Sequence, residues 1–302
     1  MLGPIGPIVG NFLRSRGYVL RRKTEIENTF TRSAWKDWFS TDLKQFVSVY
    51  EQNRNTLAGV KNWISEETLA GSISRYGDWK NDYTPIESEI TVADLLSFIA
   101  RRSGAKVSYL EIGVSVGKNL LQIDRQLRGA RLVGLDIEEL NPILKNQFSD
   151  CVIVTEASAP YLVKTRSKGL LEKRTSLKRL TSAERGNVFE YLNGDQFLDS
   201  TWALLEGKKF NLILSDAFHS GEALRAEFGY LLKYELIDQN CCVMLWDDLE
   251  NDDLQTAFLD NARALCRIFK RDDSAISLYW LHGSYGPRRQ IGMFSSISST
   301  DR

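Results

Sequence analysis

The segment Glu111-Ile112-Gly113-Val114-Ser115-Val116-Gly117-Lys118-Asn119 holds an acid, a spacer and two glycines around a serine, directly after an apolar run. Glycine at such a turn lets the backbone approach a bound group closely. Three patterns compete for these letters. Gly113-x-Ser115-x-Gly117 is the nucleophile elbow of a serine hydrolase, with Ser115 as the attacking group. That elbow follows several strands and an oxyanion-hole loop, whereas the residues before Glu111 read as helix and carry no His-Gly-Gly segment. A phosphate loop would need glycine in place of Ile112 and a hydroxyl in place of Asn119. The dinucleotide fingerprint would need glycine at Ser115 and Lys118.

Further acids stand at the ends of later apolar runs: Asp136, then Asn193-Gly194-Asp195-Gln196, then Asp216-Ala217-Phe218-His219, then Asp247-Asp248. At the C-terminal end of a parallel strand, a carboxylate such as Asp136 can accept both hydroxyls of a ribose; it can equally cap a helix. Oxygen donors in the number offered by Asp216, Asp247 and Asp248 suit a hard divalent cation. Mg²⁺ holding vicinal hydroxyls lowers the pKa of the one that attacks. His219 lies just beyond a strand end, where a general base would be needed; the second histidine, His282, reads as structural.

The positioning elements follow from periodicity. Five apolar runs, Val107 to Ile112, Arg131 to Asp136, Val188 to Leu192, Phe210 to Asp216 and Cys241 to Asp247, have the length of strands buried on both faces. Helical patterns such as Leu120, Ile123, Leu127 and Leu224, Phe228, Leu231 separate several of them, which predicts a parallel α/β sheet. Ala275 to His282 and Gln290 to Phe294, joined by a Gly-Ser-Tyr-Gly-Pro turn, predict an antiparallel hairpin at the sheet's end. The expectation is therefore a seven-stranded, mostly parallel, doubly wound Rossmann-like sheet with a helical N-terminal extension. Residues 1–88 form the accessory region and residues 89–302 the sheet domain, entered by a helix with a capping box at Thr91 and Asp94. Residues 137–187, basic from Lys164 to Arg185, read as an insertion over one edge of the site, or as a solvated helical face.

Composition narrows the partners. Thirty-nine basic residues balance 39 acidic ones, so no net field draws the chain to nucleic acid or anionic lipid. An apolar content of 43% with 26% charged residues is that of an ordinary globular protein. No run approaches the roughly 20 apolar residues of a membrane span. The apolar N-terminus, broken by Pro4 and Pro7 and followed by positive charge, lacks the order of a secretory signal; it suits a docking arm against the domain or a twin copy in a homo-oligomer, or a weak membrane contact. Cys151, Cys241, Cys242 and Cys266 lack disulfide or metal spacing and point to a reducing, cytoplasmic setting.

Acid, spacer, Gly-x-Ser-x-Gly resembles motif I of class I S-adenosylmethionine-dependent methyltransferases. The resemblance implies that Gly113, Ser115 and Gly117 admit the cofactor's methionine end and that Glu111 engages its ammonium group. It also sets Asp136 against the ribose and Asp195 with Gln196 against the adenine. Asp216-x-x-His219, Asp247-Asp248-Leu249 and Gly194-Asp195-Gln196 are in turn similar to the metal-dependent macrolide-sugar O-methyltransferases of the mycinamicin type. By position this makes Asp216, Asp247 and Asp248 the Mg²⁺ ligands and His219 the base. The chain departs from that pattern at Ala217 and Phe218, and at Asp247, where glutamate is common. The implied activity is methyl transfer from S-adenosylmethionine to a hydroxyl of a small molecule or glycoside. A serine hydrolase using Ser115 and a catalytically silent cofactor-binding protein are the alternatives.

Overall fold

The computed structural model describes residues 41–60, 83, 91–103, 106–148, 151–165, 169–181, 185–283 and 286–297. The expectations for the apolar N-terminus and for the turn residues Ser284 and Tyr285 lie outside them. The described chain runs α1 (Leu43–Ala58), α2 (Val92–Arg102), β1 (Ser108–Ile112), α3 (Lys118–Gln126), β2 (Arg131–Asp136), α4 (Pro142–Lys145), β3 (Cys151–Thr165) and β4 (Gly169–Thr181). It continues through β5 (Val188–Asn193), α5 (Asp199–Ala203), β6 (Leu212–Ser215), α6 (Gly221–Lys233), β7 (Val243–Trp246), α7 (Asp252–Phe269), β8 (Ile276–Gly283) and β9 (Gly286–Ser295).

All strands join one sheet in the order β3-β4-β5-β2-β1-β6-β7-β9-β8. β5, β2, β1, β6 and β7 are mutually parallel, and β9 runs antiparallel between β7 and β8. Without β3 and β4, the strands in chain order read 3-2-1-4-5-7-6, whose parallel part is the doubly wound order of Rossmann-like sheets. β1 is the switch point, since the chain winds outward from it in both directions. The expected count of seven is corrected to nine among the described residues, because Cys151–Thr165 and Gly169–Thr181, within the stretch read as an insertion, pair antiparallel and extend the sheet beyond β5. Its signal is the β-branched run Val152-Ile153-Val154-Thr155, which favours a pleated strand.

Strand residues alternate between two apolar layers, as a sheet covered on both faces requires. Tyr109, Leu132, Leu214 and Leu245 face Leu95, Leu96, Phe98, Leu120 and Ile123 of α2 and α3. Leu110, Val133, Ile213, Met244 and Trp246 face Leu224, Phe228 and Phe258 of α6 and α7. Helix α1 belongs to the first layer through Phe46 and Leu57. It is tied there by polar contacts as well: Arg54 Nη1 reaches Asp94 Oδ1 at 2.5 Å, and Asn53 donates to the same oxygen at 2.8 Å. Asp94 also accepts from the Thr91 amide at 2.8 Å, which completes the expected capping box.

Candidate active site

At the switch point β1 ends in the glycine turn. Gly113, Ser115 and Gly117 have φ of 87°, 51° and 82°, the left-handed region that glycine adopts freely and serine does not. A Cβ on Gly113 would lie 2.1 Å from the Asp216 carbonyl oxygen and 2.5 Å from Ala217 Cα. Only glycine fits where the turn after β1 presses against the turn after β6. On its other side, the turn is held by the acid that ends β2. Asp136 Oδ2 accepts the Val114 and Ser115 amides at 2.8 and 2.7 Å, and Oδ1 accepts the Glu138 amide at 2.8 Å. Burial pushes this carboxyl up, against the pull of the three amides. Asp136 is thus first a brace for the glycine turn; Oδ1 keeps one lone pair for a ligand.

Glu111 lies beneath the turn, 1% exposed. It accepts from the Tyr109 hydroxyl at 3.0 Å and from Asn119 at 3.3 Å, and burial pushes its carboxyl up to about 8. The carboxyl is therefore largely protonated at neutral pH, ready to ionise against an incoming cation. The Tyr83 hydroxyl donates to the Val116 carbonyl, so a residue of the accessory region packs on the glycine turn. Beyond β5, Asp195 closes a tight turn by accepting the Phe197 amide at 2.9 Å, and the Gln196 carbonyl accepts from Trp202 Nε1 at 2.7 Å. The Gln196 side chain is buried, with its Nε2 unpartnered among the described residues.

Across the switch point, ligand atoms of Asp216, His219 and Asp248 all lie within 4.8 Å of one another. His219 Nε2 stands 3.7 Å from Asp248 Oδ2, with the two side chains 38% and 29% exposed. Their approach follows from strand pairing, since Ser215 and Trp246 are partners at the ends of β6 and β7. Asp248 adopts φ 52°, in the left-handed region that aspartate enters more readily than most side chains. Asp247 is placed apart from this group: 3% exposed, its Oδ1 accepts the Asp248 amide at 2.8 Å. Two carboxylates and an imidazole form a donor set that a divalent cation accepts. Ser220 follows as the N-cap of α6, its Oγ accepting the Ala223 amide at 3.1 Å. Phe218 and Phe197, 52% and 39% exposed, meet edge to face with centroids 6.1 Å apart.

The nucleophile-elbow reading finds an exposed Ser115 with strained φ, as it requires. No hydrogen bond joins Ser115 to a histidine among the described residues, and its amide is committed to Asp136. Sequence reasoning passed over Glu138, buried two residues after Asp136, and Lys173 and Tyr161 of the β3–β4 hairpin. Alternation in the hairpin strands could have flagged the last two; Glu138 carries no local signal beyond its charge. The four cysteines are free thiols. No helix among the described residues is long and apolar enough to cross a membrane.

No protein-family model and no curated protein matches the chain. Among solved structures, it is similar to an O-methyltransferase from Bacillus cereus solved in complex with SAH, at 16% identity over 89% of this chain and 99% of that one, TM-score 0.37. It is also similar to the O-methyltransferase TomG from Streptomyces achromogenes, involved in tomaymycin synthesis and solved with SAM, at 14% identity over 90% and 99%, TM-score 0.41. A further likeness is to an O-methyltransferase structure from Klebsiella pneumoniae, at 12% identity over 85% and 93%, TM-score 0.40. Likenesses this distant carry no argument of their own; the fold rests on the strand order and register.

Proposed function

We propose that this protein is a class I S-adenosylmethionine-dependent methyltransferase that methylates a hydroxyl of a small-molecule acceptor with the help of a divalent cation, Mg²⁺. The observation that supports this best is the contact at the switch point. The glycine turn suited to the cofactor touches, through Gly113, the backbone of Asp216, which belongs to the carboxylate and histidine cluster. Ligands of open α/β sheets settle at that crevice.

When bound, S-adenosylmethionine supplies an electrophilic methyl group, and the cation lowers the pKa of a hydroxyl it holds. The chain's own residues then align and deprotonate. Gly113 and Gly117 keep the turn open, and Asp136 fixes its amides. Glu111 offers a buried carboxyl to the cofactor's ammonium end. Asp216 and Asp248 are the oxygen ligands of the cation, and Asp247 positions Asp248 by accepting its amide. His219, exposed on the same rim, takes the proton of the attacking hydroxyl. Phe197 and Phe218 give the acceptor an apolar edge, which favours a hydroxylated ring over a fully polar sugar.

The test is an acceptor panel of phenols, glycosides and aliphatic alcohols, run with S-adenosylmethionine, with and without chelator. We expect turnover that EDTA abolishes and Mg²⁺ restores. Full turnover in EDTA would leave Asp216 and Asp248 without a metal role. Cofactor binding without turnover on any acceptor would favour the silent binding protein. Labelling of Ser115 by a fluorophosphonate would favour the hydrolase.

A further inference from the structure

The β3–β4 hairpin does more than widen the sheet. β4 pairs with β5 only from Ser176 to Thr181, opposite Asn193 to Val188. Because the two strands are antiparallel, Gly169 to Thr175 continue past Asn193, beyond the rim where the parallel strands end. Pro160 to Thr165 of β3 run alongside them. At about 3.4 Å per residue the overhang is roughly 20 Å long. It stands on the β5–β2 side of the switch point, away from Asp216, His219 and Asp248.

Specific contacts seat this arm on the site. Lys173 Nζ donates to the Ile137 carbonyl just after β2 at 3.1 Å and lies 4.0 Å from Glu139 Oε1. The Thr175 methyl and Thr201 close over Gly194, where an added Cβ would fall 2.8 Å from each. Tyr161 is the register partner of Lys173, so the two side chains project from the same side of the ribbon. The Tyr161 hydroxyl is buried and has no hydrogen-bond partner among the described residues. Its register partner Lys173 reaches the Ile137 carbonyl just after β2, which sets this part of the arm beside the end of β2; burial raises the Tyr161 pKa, and the negative charge of Asp195, Glu139, Asp136 and Glu138 raises it further. A buried O–H without an acceptor is unfavourable, and such groups commonly wait for a ligand or an ordered water.

We infer that the β3–β4 arm forms a wall of the nucleoside subsite and that the Tyr161 hydroxyl donates a hydrogen bond to the adenosine portion of the bound cofactor. This rests on the methyltransferase reading. A nucleoside brings acceptors to that spot, ribose oxygens and purine ring nitrogens, whereas the carboxylates of Asp136, Asp195 and Glu139 are already engaged by backbone amides and by Lys178. Lys173 acts as a positioning residue: it anchors the arm to the loop after β2 and leaves the ligand to Tyr161.

The experiment is calorimetric titration of the full chain, as wild type and as Tyr161→Phe, with S-adenosylhomocysteine and with 5′-methylthioadenosine, which lacks the amino-acid end. We expect Tyr161→Phe to weaken both ligands by the same factor, about 3- to 10-fold, the scale of one buried hydrogen bond. The melting temperature of the ligand-free protein should be unchanged or higher, since the lost hydroxyl had no partner, while the ligand-induced rise shrinks. Equal affinities in variant and wild type would overturn the inference and leave the proposed function standing. A loss confined to S-adenosylhomocysteine would overturn it by moving Tyr161 to the amino-acid end. A wild-type protein that binds neither nucleoside would overturn both readings.

Discussion

At the scale of the residue, one side chain and one buried acid decide most of the chemistry. His219 is assigned as base and not as ligand because Asp216 and Asp248 already supply the hard oxygen donors. His219→Ala should lower turnover by about 10² or more, the scale of a positioned base, while Mn²⁺ affinity stays within about twofold. A collapse of metal affinity in that variant would make His219 a ligand instead. Glu111 leads to a pH effect whose sign follows from burial. Its carboxyl, pushed up to about 8, is mainly protonated at pH 7 in the free protein. Binding a cationic ammonium favours the ionised form, so it should release a proton at pH 7, and affinity should rise with pH up to about 8 and then level off. Calorimetry in buffers of different ionisation enthalpy reads this directly; Glu111→Gln should abolish the release. These residues were legible because strand ends display their chemistry in short strings. Asp136 stands out in the sequence as a strand-end acid, but its use as a brace does not, since the three amides it accepts belong to two separate loops.

At the scale of the element, the outcome depended on whether periodicity or charge carried the signal. The five parallel strands stand out as apolar runs bounded by turn residues, and their observed limits differ from the expected ones by at most two positions. The β3–β4 hairpin did not, because Lys164 to Arg185 drew attention as a basic stretch, while the pleat that matters lies in Val152 to Thr155 and in Thr175, Leu177 and their neighbours. Its bulges between Ile153 and Thr155 and between Glu156 and Pro160 also break the alternation that would have revealed it. Helix α1 read as accessory, yet it is bound into the core by Asp94, which is fully buried and holds Arg54, Asn53 and the start of α2 together. Asp94→Ala leaves the guanidinium of Arg54, 11% exposed, without its partner. We expect a loss of about 3–5 kcal/mol in chemical denaturation. A loss under 1 kcal/mol would mean that α1 is held by its apolar face alone.

At the scale of the whole molecule, the proposed site divides into two halves on either side of β1. On the proposed function, the β2 and β5 ends with the overhanging arm would form the nucleoside side, and the β6 and β7 ends the cation and acceptor side. The glycine turn is the partition between them, and the contact of Gly113 with Asp216 fixes their spacing. Strand order made this arrangement, and strand order was foreseen only as a class, since no local string states which strand lies next to which. The measurement that bears most directly on the two-sided site is paramagnetic relaxation of bound S-adenosylmethionine by Mn²⁺ in place of Mg²⁺. The account predicts strong relaxation of the S-methyl protons, weaker relaxation of the adenine protons, and loss of both effects in an Asp216→Asn, Asp248→Asn double variant that still binds the cofactor. Cofactor and Mn²⁺ bound together with no relaxation of the methyl protons would contradict it.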